Sequence, residues 1–214
     1  MVNRNEEFSD EPPRINRITV IVYSFIFLVA PILTFLIGRL LDKMLFLPEF
    51  PPFPANLVVG IGVFVFGLAI GIKSTRLLYR VGRGLPWGEV RKQARSTRLV
   101  TTGLYACCRN PMTFGYSLLP CGMGIVFKSP AMTFFIPAIV FFAMIVWLKL
   151  WEEPILERRF GEVYREYKRR TPFLIPRFKP MIFDLTSPIL GLFRKRRGKA
   201  SQLRKVDQYK EERK

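Results

Sequence analysis

The chain has 214 residues, enough for one large domain, and half are hydrophobic, yet 34 Lys+Arg outweigh 16 Asp+Glu for a net charge of +18. Lys and Arg are scarce inside four apolar blocks and crowd the segments around them. That segregation excludes a soluble globular domain, and the apolar content is far too high for a mainly disordered basic protein. The sequence holds no histidine, which excludes imidazole bases, His metal ligands and His-based triads. Cys107, Cys108 and Cys121 lack CxxC spacing, and their odd number gives neither a disulfide framework nor a zinc site, so no metal is expected.

In chain order, residues 1–17 read as a polar arm with Arg4, Arg14 and Arg17 and without a signal peptide. A membrane-crossing helix needs about 20 apolar residues. Ile18 to Leu41 supplies them, and Asp42 to Pro54 follows as a stiff Pro-rich loop. Ala55 to Ile72 is the second block, with Gly60, Gly62, Gly67 and Gly71 suited to close helix packing in lipid. The loop Lys73 to Pro111 is rich in arginine and includes Arg91, Lys92 and Arg95. Met112 to Phe127 is a short third block in which Pro120 predicts a kink, and Gly115, Gly122 and Gly124 leave room for a backbone or a ligand. A tight turn at Lys128-Ser129-Pro130 leads into the fourth, Ala131 to Trp151. The charge alternation predicts an all-α polytopic membrane helix bundle with four transmembrane helices and both termini cytoplasmic. No ionisable residue lies mid-span and no internal repeat is visible, both of which argue against an ion pathway or transporter.

Two clusters then fall on the cytoplasmic side. In the first, Asn110-Pro111 is a helix-start signal: Asn caps, and Pro suits the first helical position. The positive helix terminus beside Arg109 suits an anion, although the same residues serve a plain membrane-helix start equally well. The second cluster opens with Glu152-Glu153, two carboxylates where the fourth block emerges. They suit a sulfonium, an amine or ribose hydroxyls, or simple pairing with Arg158 and Arg159. From Leu156, the residues Phe160, Val163, Tyr164 and Tyr167 recur at helical spacing and predict a cytoplasmic amphipathic helix. Its opposite face pairs Glu162 and Glu166 with Arg165, Arg169 and Arg170.

Together these clusters resemble the integral-membrane S-adenosylmethionine-dependent methyltransferases, a superfamily that includes isoprenylcysteine carboxyl methyltransferases and phospholipid N-methyltransferases. The resemblance runs over Leu99-Val100-Thr101-Thr102-Gly103-x-Tyr105, Arg109-Asn110-Pro111 with Gly115, and Glu152-Glu153 followed by Phe160-Gly161-x-x-Tyr164-x-x-Tyr167. It implies an S-adenosylmethionine site lined by Leu99, Val100, Tyr105, Arg109, Asn110, Pro111, Met112 and Thr113, with Glu152 and Glu153 on the other side. It further implies that a cation before the acidic pair, nearest Lys149, orients the substrate. Asn110 stands where the isoprenylcysteine enzymes have His, and Thr113 where they have Tyr. Asn-Pro-Met is closer to the phospholipid enzymes. The resemblance implies methyl transfer to a lipid or prenylated acceptor, first an isoprenylcysteine-like carboxylate and alternatively a phospholipid amine. Sterol reductases that bind NADPH look similar in this region, and a non-catalytic scaffold is the remaining class.

Residues 18–172 therefore read as the membrane domain and 173–214 as a basic tail. Met181 to Phe193 is expected on the membrane surface, and Arg194 to Arg197 with Arg204-Lys205 is expected to attract anionic lipids. With no folded module to present these charges, nucleic acid is not an expected partner. Ala200 to Lys214 is expected to be mobile.

Overall fold

The structure, a computed structural model, describes residues 17–86 and 96–187. The expectations for the N-terminal arm, for Arg91, Lys92 and Arg95, and for the polybasic end lie outside these residues. All regular structure among the described residues is helical. The chain divides into two units, Met1–Pro176 and Arg177–Lys214, the second containing a helix over 178–187.

The first apolar block is helical throughout. Helix α1 (Arg17–Ser24), a π-helical stretch Phe25–Val29 and helix α2 (Ala30–Met44) follow one another without a break. Helix α3 is Ala55–Arg80, and helix α4, Leu104–Cys107, is a single turn. Helix α5 (Pro111–Val126) runs on through Pro120. The last long run begins with a π-helical turn Ala131–Phe135, continues as α6 (Ile136–Trp147), passes a second π turn Leu148–Glu152 and ends as α7 (Glu153–Phe160). Helix α8 is Glu162–Arg170.

Two of these helices are long and apolar enough to cross a membrane, Ala55–Arg80 and Ala131–Phe160. Helix α5, with 16 residues, is about 24 Å long and so shorter than a hydrocarbon core of about 30 Å. The observed ends differ from the hydropathy blocks. Helix α3 continues past Ile72 to Arg80, and the last run continues past Trp151 to Phe160, because backbone hydrogen bonding does not stop where apolar side chains give way to charged ones. Asp42 is likewise not in a loop. It is buried in α2 and accepts the Ala131 N–H at 2.9 Å, tying the first helix to the start of the last.

The outside of this bundle is oily: Leu28, Leu36, Val58, Ile61, Ile139 and Phe142 are all more than half exposed. Its inside is built on close backbone approach. A Cβ at Gly67 would lie 2.6 Å from the Gly115 carbonyl oxygen, and one at Gly115 would lie 2.7 Å from the Gly71 nitrogen. Such approach is how helices associate in lipid, where burying oil from oil gains nothing. Asn56 locks the same pair by donating to the Val126 carbonyl at 2.9 Å. Gly62 departs from the expectation: nothing lies within 4 Å of its Cβ position, so it faces outward. At Gly122 and Gly124 the space is taken by the backbones of Phe64 and Thr133 rather than by a ligand. The Lys128–Glu49 ion pair, at 3.8 Å, brings the Pro-rich loop and the tight turn to one end of the bundle.

Gly161 corrects the single amphipathic helix expected from Leu156 onward. Its φ of +56° with ψ of −131° is open to glycine alone, and it separates α7 from α8. Tyr164 and Tyr167 are buried as expected, but Val163 is 66% exposed, since the break re-aims the stripe.

Candidate active site

At the end of the bundle opposite the Pro-rich loop, a cleft of about 650 Å³ including its open mouth is lined by elements distant in sequence. Leu78, from the extension of α3, forms the apolar wall with Leu85, Leu99, Val100, Met112 and Leu156. Ser96, Arg98, Arg109 and Glu152 supply polar groups, and Tyr105, Tyr164 and Tyr167 complete the lining. Gly103, at φ +59° and ψ −130°, makes the turn that starts α4 and buries Leu104 and Tyr105. The Tyr167 hydroxyl donates to the Tyr105 carbonyl at 2.7 Å, clasping α8 to α4. Burial pushes the Tyr105 hydroxyl pKa well above its ordinary value, with Glu152 adding to the rise, so the phenol stays neutral. Tyr164 and Tyr167 rise for the same first reason. The Cys108 thiol, also buried, is pushed up to about 12 and is inert as a nucleophile near neutral pH.

The acidic doublet divides. Glu152 lines the cleft, whereas Glu153 is buried beneath it. The Glu153 Oε1 lies 3.1 Å from Arg109 Nη2, with side chains 8% and 10% exposed, and Oε2 lies 3.3 Å from Lys168 Nζ. Beyond this ion pair, neither Glu153 Oε1 nor Arg109 Nε, both buried, has a hydrogen-bond partner. Arg109 therefore has an internal counter-ion where the sequence suggested an external anion. Arg159 donates to the Ser96 carbonyl.

Asn110 does not cap α5. Its Nδ2 donates 3.0 Å to the Phe173 carbonyl, and the Arg109 N–H donates 2.8 Å to the Pro172 carbonyl. The segment after α8 is thereby strapped to the start of α5, with the Phe173 ring 5.4 Å from the Arg109 guanidinium. Pro111 is fully buried beside it. A second, mostly apolar cavity of about 1,090 Å³ including its mouth lies between α2, α5 and α6, lined by Pro31, Met112, Thr113, Tyr116, Met123, Val140 and others. Met112 lines both cavities. Lys149 lines neither; it sits with Nζ 5.3 Å from the Phe173 centroid in an open surface recess.

Of the residues expected at the site, Leu99, Val100, Tyr105, Arg109, Met112 and Glu152 meet in the cleft, and Thr113 lies in the neighbouring cavity. Asn110, Pro111 and Glu153 support them from behind. Leu78, Leu85 and Ser96 carry no local motif and could not be picked out. Tyr164 and Tyr167 were signalled by their spacing, although as an apolar stripe rather than as cleft wall.

Two long apolar helices, a polar cleft at one end and an apolar cavity sharing its wall are the features of a membrane protein with a candidate small-molecule site. The family model for phospholipid methyltransferases matches residues 55–163, about half of the chain, and the chain belongs to that family. It is a membrane methyltransferase with a lipid substrate. No curated protein and no solved structure matches the chain.

Proposed function

We propose that the cleft binds S-adenosylmethionine, that the apolar cavity receives the hydrocarbon tail of the acceptor lipid, and that methyl transfer takes place where Met112 borders both. The shared Met112 is the observation that carries this reading. The lining fits the cofactor chemically: an apolar wall for adenine, and the Glu152 carboxylate for hydroxyls or the cationic centre. When bound, the cofactor supplies an electrophilic methyl group on sulfur. The protein's task is then to hold the partners in line at roughly 3–3.5 Å and to exclude water. Glu153 keeps Arg109 in place, and the strap held by Asn110 keeps the start of α5 in register.

The acceptor that agrees best with the family is a phospholipid amine. An ammonium must lose a proton before it attacks, and Glu152 is the carboxylate on the cleft wall that can take it. A prenylcysteine carboxylate is the second reading, favoured by Arg98 on the same wall, because a carboxylate needs orientation and no base. Four crossing helices with cytoplasmic termini are part of the proposal, supported by Glu49 and Lys128 meeting at the end away from the cleft.

The test is calorimetry on the purified full chain with S-adenosylmethionine and, separately, NADPH. Cofactor binding followed by release of S-adenosylhomocysteine on adding phosphatidylethanolamine is the expected result. Release with a prenylcysteine alone selects the second acceptor. Binding of NADPH alone overturns the reading in favour of a reductase, and binding of neither leaves a scaffold.

A further inference from the structure

Lys149 and Arg158 belong to a recess outside the cleft, bounded by Glu153, Pro154, Glu157, Arg165 and Lys168. Its charges are unequally satisfied. Glu157 accepts Arg165 at 2.9 Å and Lys168 at 3.6 Å, and Glu153 takes Lys168 at 3.3 Å. Both carboxylates are thereby committed, Glu153 additionally to Arg109. Lys149 and Arg158 make no ion pair among the described residues, and Lys149 rests only against the Phe173 ring. Two exposed cations thus face one recess in which every acid is already engaged.

The recess also lies at a particular depth. Lys149 is in the π turn where the last long apolar helix gives way to charged residues, and its sequence neighbours Leu150 and Trp151 are 63% and 53% exposed. Exposed Leu and Trp at the end of an apolar helix mark the level of lipid headgroups. Trp151 stacks on Trp147 at 5.4 Å, which stiffens that edge. Cations at this level draw anionic headgroups from the membrane surface.

We infer that the Lys149–Arg158 recess is a phosphate-binding site at the bilayer surface, distinct from the methyl-transfer cleft, and that it takes the phosphodiester of an anionic lipid headgroup. Its phosphate oxygens accept from Lys149 Nζ and the Arg158 guanidinium, and the acids behind them keep the remaining cations in place. This inference does not depend on the cofactor or acceptor of the cleft.

The experiment uses the full chain in phosphatidylcholine vesicles doped with brominated phosphatidylglycerol, reading quenching of tryptophan fluorescence against brominated phosphatidylcholine. A parallel arm titrates inorganic phosphate into the protein in undoped vesicles and follows the same emission. Lys149→Gln/Arg158→Gln is compared with Arg169→Gln/Arg170→Gln, which removes the same charge from α8, where both arginines are already paired with Glu166. The expected result is preferential quenching by phosphatidylglycerol, weakened about 30-fold in the first variant and kept in the second. A response in the lipid arm alone assigns the headgroup, and a response in both arms admits free phosphate as a ligand of the same site. Equal weakening in both variants, which signals diffuse charge attraction only, or no preference and no phosphate response in the parent protein, overturns the inference.

Discussion

Glu153→Ala removes the carboxylate that neutralises a buried guanidinium. Arg109 is 10% exposed and stands at the start of α5, where the helix's partial positive charge already disfavours a cation. With Glu153 gone, Lys168, which it also held at 3.3 Å, becomes a repelling neighbour. Breaking a buried pair from one side costs about 3–5 kcal/mol, whereas an exposed pair such as Arg169–Glu166 contributes about 0–1 kcal/mol. For a protein of this size the loss corresponds to a fall of about 6–20 °C in melting temperature. Arg109→Met/Glu153→Ala removes both charges and should recover much of the loss, with a coupling of about 2–3 kcal/mol. Thermal unfolding of the detergent-purified variants, followed by tryptophan fluorescence with Glu166→Ala as the exposed control, measures each term. A double variant no more stable than Glu153→Ala, or a Glu153→Ala loss no larger than that of Glu166→Ala, would show that the pair is not the buried strut described here.

Glu152→Gln should behave in the opposite way, leaving the melting temperature within about 1 °C while weakening S-adenosylmethionine binding about tenfold in calorimetry, because its carboxylate faces the cleft. Met112→Trp fills the shared wall; retained cofactor binding with methyl transfer lowered at least about tenfold is expected, and unchanged turnover counts against the junction. Gly115→Ala forces a methyl group against the Gly71 nitrogen at 2.7 Å and should cost about 1–3 kcal/mol, while Gly62→Ala, with open space around it, should be neutral or slightly stabilising; paired melting curves compare the two. Burial raises the Cys108 thiol from 9.0 to about 12, so the folded state keeps a proton that the unfolded state releases. Stability contributed by this group is complete below pH 9 and is lost progressively up to about pH 12, a fall that melting curves between pH 8 and 11 should record.

The helical class and most helix positions were written in the order of residues. Uninterrupted apolar blocks of this length satisfy their backbone groups only as helices when lipid surrounds them, so hydropathy alone identified α3 and the last long run. The charged ends were harder to place, because helical hydrogen bonding carries on beyond the bilayer through residues such as Arg76 and Arg158. The resemblance to the membrane methyltransferases likewise indicated Leu99, Val100, Tyr105, Arg109 and Met112, which line the cleft.

What only the tertiary structure decided is how those motifs divide their work. Adjacent carboxylates on a helix project about 100° apart, so Glu152 and Glu153 could not both face one ligand unless something bent the backbone between them. Packing of α7 and α8 against Arg109 turned one inward as a strut and left the other on the wall. Asn110 carried every local mark of a helix cap, but the returning strap offered the Phe173 carbonyl, and a long-range bond replaced the local one. Local spacing encodes which groups are available; which of them meet is settled by segments some sixty residues apart closing on each other, and no window of sequence contains that information.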